Sequence, residues 1–93
     1  MYAAVRRGKA KPGSADELAR RVNAGALSTV SGVPGFQAYY VIYGEDDTVV
    51  TVSAFEEKAA AEECNKKVLS WIRENLGPML VSPPEAMEGE VIV

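Results

Sequence analysis

The chain has 93 residues, of which 47% are hydrophobic and 25% charged, with a formal net charge of -3. This is the make-up of an ordinary globular unit, one domain over residues 1–93, and no apolar run approaches the ~20 residues of a membrane helix. A single cysteine excludes an internal disulfide framework, and the absence of histidine excludes imidazole catalysis and imidazole-bound metal or haem.

A chain of this size hides roughly 64% of its extended surface on folding, so its core is thin and a partner subunit is a natural supplement. The opening "MYAAVRRGKA" carries its basic residues after a very short apolar piece, the wrong order for a secretory signal, so a cytoplasmic protein is expected. In residues 1–33 six basic residues stand against Asp16 and Glu17, whereas four basic residues face eleven acidic ones in the remainder. In so small a domain the two halves lie within about two Debye lengths, so mutual attraction accounts for the split better than nucleic-acid binding does.

In chain order, "MYAAVRRG" alternates as a first strand and places Arg6 and Arg7 on opposite faces. An exposed ion pair is expected for such arginines, a buried carboxylate partner being the alternative. "SADE" reads as a capping box, Ser14 with Glu17, ahead of a helix whose face is Ala15, Leu18, Ala19, Val22 and Ala26. "SGVPG" ends it. "FQAYYVIY" is a second strand, with Phe36, Ala38, Tyr40 and Ile42 on one side and Gln37, Tyr39, Val41 and Tyr43 on the other. Both sets are apolar enough to be covered. "GEDD" turns the chain as a solvated loop, and "TVVTVSAF" returns as a third strand.

From Glu56 to about Leu76 the period becomes helical. Ala60, Ala61, Cys64, Val68, Trp71, Ile72 and Leu76 form an apolar arc, while Glu62–Lys66 and Glu63–Lys67 suit exposed i,i+4 pairs. Cys64 reads as a buried thiol. Gly77-Pro78 stops the helix, and "GEVIV" is expected to close the chain as a fourth strand. The order β-α-β-β-α-β predicts an α+β, ferredoxin-like fold: a four-stranded antiparallel sheet with both helices on one face. The other face then needs a cover, and a second copy of the chain provides one.

Asn65 falls inside the apolar arc, where an amide destabilises unless hydrogen-bonded. It is either tied to a neighbouring backbone group or aimed into a pocket where it orients a substrate carbonyl or enolate. Trp71, at the edge of the arc, is either core or pocket.

"VPGFQAYYVIY", "TVVTVSAFEEKAAAEE" running straight into the second helix, "WIRENL" and "EGEVIV" resemble the dimeric α+β barrel superfamily, and within it the antibiotic-biosynthesis-monooxygenase-like proteins. The resemblance implies a homodimer closed through the sheet faces, with a pocket in each subunit between sheet and helices. It also implies cofactor-independent oxygenation of a small flat apolar or aromatic molecule, with no metal and no cofactor. By residue type, Asn65 and Trp71 match the asparagine and tryptophan that polarise and stack on substrate in such relatives. Tyr39, Tyr40, Phe36, Val68 and Ile72 are the expected pocket walls; alternation leaves open which strand-two set meets the helices. The different-class alternative is a non-catalytic dimeric module that binds a ligand or serves assembly, with neither nucleic acid nor membrane as partner.

Overall fold

The computed structural model describes residues 1–92; Val93, the last residue of the expected fourth strand, lies outside the described residues. Strand β1 (Tyr2–Lys9), helix α1 (Ala15–Ser31), strands β2 (Phe36–Tyr43) and β3 (Thr48–Phe55), helix α2 (Lys58–Leu76), a 3-10 turn (Gly77–Met79) and strand β4 (Glu85–Glu90) follow in order. The four strands form one antiparallel sheet in the order β2-β3-β1-β4. This is the expected ferredoxin-like α+β fold.

Both helices bury small or branched residues against one sheet face. Helix α1 contributes Leu18, Ala19, Val22, Ala26 and Val30, and α2 contributes Ala61, Cys64, Val68, Ile72 and Leu76. The sheet meets them with Ala4, Val49 and Phe55, of which Phe55 is fully buried and packs edge-on against Phe36, the ring centroids 6.1 Å apart.

Several local expectations are corrected. The fourth strand is "EAMEGE" rather than "GEVIV": Arg7 pairs with Glu85 and Tyr2 with Glu90, so β1 is used up before Val91. The Ser14 capping box does not form; Ser14 makes no side-chain cap, and Asp16 and Glu17 instead pair one turn on with Arg20 (2.8 Å) and Arg21 (2.9 Å). Glu63 pairs with Lys67 at 3.2 Å as expected, but Glu62 takes Lys58 at 3.8 Å in place of Lys66. The acidic turn is a latch as well as a solvated loop. Asp47, at φ 64°, accepts the Ala10 amide on its carbonyl (2.8 Å) and the Gly13 amide on its carboxylate (3.1 Å), tying the hairpin tip to the β1–α1 loop.

Strand β2 departs from strict alternation. Phe36 pairs with Phe55 and Ala38 with Ala54, so Gln37 is an extra residue, a β-bulge. The insertion puts Phe36 on the helix side together with Tyr39 and Val41, a grouping that alternation forbids. Tyr40 and Ile42 point away from the helices and are 61% and 56% exposed. They share that outer face with Met87 of β4, 65% exposed, and with half-buried Val5, Val50 and Val52. In the single chain the outer face is thus an open apolar surface.

At the seam between the helices, the Trp71 indole lies directly on the Gly25 backbone. A Cβ at position 25 would fall 2.0 Å from the ring. Alanine in place of an interior helical glycine ordinarily stabilises by ~1 kcal/mol. Here Gly25→Ala should instead destabilise by about 1–3 kcal/mol through overpacking. In a Trp71→Ala background the same change should turn stabilising. Urea denaturation of the four proteins of this double-mutant cycle checks the reversal of sign.

Candidate functional site

At the middle of the helix-facing sheet surface stands Arg6, 2% exposed. Alternation on β1 turns it inward between Ala4 and Gly8, and the register sets it beside Thr51 on β3. Its Nε–H donates to Thr51 Oγ1 at 2.8 Å and Nη1 donates to Asn65 Oδ1 of α2 at 3.0 Å. Nη2 donates to the Ser53 hydroxyl. All three acceptors are neutral, and among the described residues no carboxylate pairs with Arg6. Taking such a cation out of water costs several kcal/mol, which neutral acceptors offset only in part. Neither form of pairing expected for the arginines occurs at Arg6, and Arg7 lies exposed on the opposite face.

Around Arg6 sit two further polar groups. Tyr39 is across the ladder from Ser53, and its buried hydroxyl has no hydrogen-bond partner. Cys64 is fully buried on α2. Burial pulls the Arg6 guanidinium below its ordinary value, opposed by Cys64, Tyr39 and Glu88. Burial pushes the Tyr39 phenol up, with Arg6 pulling it back, and it pushes the Cys64 thiol up, opposed chiefly by Arg6.

A narrow cleft leads in from the end of the sheet, walled by Leu18 and Val22 of α1, Ile72 of α2, and Leu80 and Pro84, with Arg6 and Thr51 among its lining. It encloses about 20 Å3, room for about one water molecule. Backbone bonds from Lys11 N–H to Met79 and from Val81 N–H to Lys9 join the end of β1 to the segment that carries Leu80.

The structure brings together some of the expected site residues and separates others. Asn65 is buried and satisfied, but by the Arg6 side chain rather than by backbone. Tyr39, Phe36, Val68 and Ile72 are all on the sheet–helix interior. Trp71 is not beside Asn65: six residues apart at ~100° each, they point ~120° apart around α2, Asn65 at the sheet and Trp71 at Gly25 of α1. Tyr40 lies on the outer face, since the Gln37 bulge assigns Tyr39 to the inside. The central residue, Arg6, and its acceptors Thr51 and Ser53 lay outside the expected set; the signal for the acceptors was two hydroxyl residues at i,i+2 on one face of β3, between Val49 and Phe55.

An antiparallel four-stranded sheet backed by two helices defines a ferredoxin-like α+β protein, here with a cluster of polar side chains buried between the layers. The sequence profile of the family described as antibiotic biosynthesis monooxygenase matches residues 1–67, and the chain belongs to that family. A protein of unknown function from Nitrosomonas europaea is 25% identical, with a TM-score of 0.79 over 99% of this chain and 89% of that one. A monooxygenase of Streptomyces coelicolor, solved in complex with the ligand Nanaomycin D, is 22% identical, with a TM-score of 0.74 over 99% and 91%. A Mycobacterium tuberculosis protein superposes with a TM-score of 0.76 at 15% identity, over 99% and 95%. No curated protein matches the chain. Among the described residues no helix is long and apolar enough to cross a membrane, and no cluster of His, Cys, Asp and Glu could hold a metal ion.

The raised Cys64 and Tyr39 values have a thermodynamic consequence. Both groups hold their protons more tightly folded than unfolded, so their contribution is complete below the ordinary thiol value of about 8.5 and is lost as pH rises through the folded values. Unfolding free energy from urea titrations should fall above that pH. The fall should be shallower in Cys64→Ala and shallower again in Cys64→Ala with Tyr39→Phe.

Proposed function

We propose that residues 1–93 act as one cytoplasmic, homodimeric unit that oxygenates a small, flat, apolar or aromatic molecule without a cofactor. The observation that carries this reading is the hydrogen-bonded polar cluster buried between sheet and α2 in a chain of this family. The Streptomyces coelicolor monooxygenase, with its bound Nanaomycin D, supports the aromatic class of ligand. In the proposed reaction the phenol ionises and gives an electron to O2, the two radicals combine at a ring carbon that bears hydrogen, and the phenol's proton passes to the peroxide oxygen. The hydroperoxide so formed loses water to leave a quinone. Phenol and O2 are balanced by quinone and water, so no outside reductant enters. Asn65 orients the substrate oxygen, Tyr39 presents its unpartnered hydroxyl, and Phe36, Val68 and Ile72 supply apolar wall. Trp71 is assigned a packing role.

Purified protein given naphthols and hydroxyanthrones should consume oxygen in step with quinone formation. Asn65→Ala should lower kcat by about a hundredfold, the scale of one lost polarising group. Asn65→Asp, which keeps an acceptor for Arg6, serves as the folding control by circular dichroism. Absence of oxygen uptake with every phenol of the panel would sink the catalytic reading.

The cleft of about 20 Å3 favours a second reading, a non-catalytic binding or assembly module. Thermal stabilisation by the same phenols with no oxygen uptake is its signature.

The homodimer is supported by the open apolar sheet face around Tyr40, Ile42 and Met87. An exposed contiguous surface of this kind marks an interaction site, and one face meeting its own copy closes as a two-fold dimer. Light scattering should give twice the protomer mass, and Tyr40→Glu with Ile42→Glu should give the protomer mass. A wild-type monomer would overturn the assembly.

A further inference from the structure

We infer that Arg6 is the specificity-determining residue of this site and that it selects an ionised ligand, an aromatic phenolate or enolate, by receiving its anionic oxygen. The inference deepens the ligand reading above and names what that reading leaves open, the charge state of the bound molecule.

Four observations converge on it. Among the described residues the buried guanidinium has only neutral acceptors, Thr51, Ser53 and Asn65, so the interior carries a positive charge with no ion-pair partner in contact. A guanidinium has five N–H groups, and three are engaged, which leaves two to donate to a ligand. The titratable groups that act on it, Tyr39 from β2, Cys64 from α2 and Glu88 from β4, are none of them paired with it. Finally, the cleft that reaches Arg6 and Thr51 is walled by Leu18, Val22 and Ile72, and its small volume admits an oxygen head while an aromatic body rests at the mouth by Leu80 and Pro84. A charged donor in an apolar, water-poor wall distinguishes an anion from its neutral acid far better than the same donor in water does.

A neutral ligand leaves the buried charge uncompensated, whereas a phenolate cancels it. The bound ligand's own acidity is therefore the readout. Free 4-nitrophenol and 4-nitrophenol in excess wild-type protein are titrated by the absorbance of the phenolate. The apparent pKa of the bound dye should fall by about one unit, equivalent to phenolate binding tenfold tighter than phenol. Arg6→Met should abolish the shift and Arg6→Lys should retain part of it. In the wild-type protein, 4-nitroanisole, which cannot ionise, should bind at least about tenfold more weakly than the phenolate; this comparison stands whether or not Arg6→Met folds.

A dye pKa unchanged by wild-type protein, no dye bound, equal affinity for 4-nitroanisole, or an undiminished shift in Arg6→Met would each overturn the inference. A shifted dye together with no oxygen uptake from any phenol would leave it standing while removing the oxygenase reading.

Discussion

A guanidinium is buried inside this protein and, among the described residues, no carboxylate is ion-paired with it; the surrounding architecture is arranged so that this is possible. Arg6 reaches the centre of the sheet because β1 is flanked on both sides, by β3 and by β4. It is shut from water because α2 lies over it, and it is tolerated because β3 offers hydroxyls at Thr51 and Ser53 and α2 offers an amide at Asn65. Replacing such a charge by an apolar side chain of similar size is often neutral or stabilising. Its presence in a thin core of a small chain argues for use in binding rather than for stability.

The same cluster ties three elements together, β1, β3 and α2. Asn65 lies on the buried face of α2 beside Cys64, and its bond to Arg6 spans 59 positions of sequence. It fixes the rotation of the helix over the sheet, which in turn sends Trp71 sideways onto Gly25. The close approach of α1 and α2 at that point follows from the missing side chain at Gly25 and from the small residues, Ala19 and Ala26, that α1 buries.

Much of the fold was legible because its signals are periodic. The edges of β2 and β3 coincide with "FQAYYVIY" and "TVVTVSAF", whose β-branched and aromatic runs are bounded by turn residues. Position 65 was legible as an anomaly in a helical arc. Arg6 was not, since alternation shows that one of two adjacent arginines turns inward but not which face is inward. Nor could spacing on one helix reveal that Asn65 and Trp71 serve different neighbours, because that depends on where α1 lies. Side-chain bonds at surface ends, such as Asp16 to Arg20 in place of a cap on Ser14, are small competing terms that tertiary context decides.

The bulge at Gln37 decides a matter of parity. Strict alternation would place Phe36, Ala38, Tyr40 and Ile42 of β2 on one face and Gln37, Tyr39, Val41 and Tyr43 on the other. A single additional backbone unit, whose side chain is moored to Glu56 at 2.9 Å, gives the interior to Tyr39 and leaves Tyr40 and Ile42 outside. One irregular step at the strand's beginning thereby chooses which phenol attends the buried charge and which side chains stay on the open face, coupling the character of the cavity to that of the exposed surface.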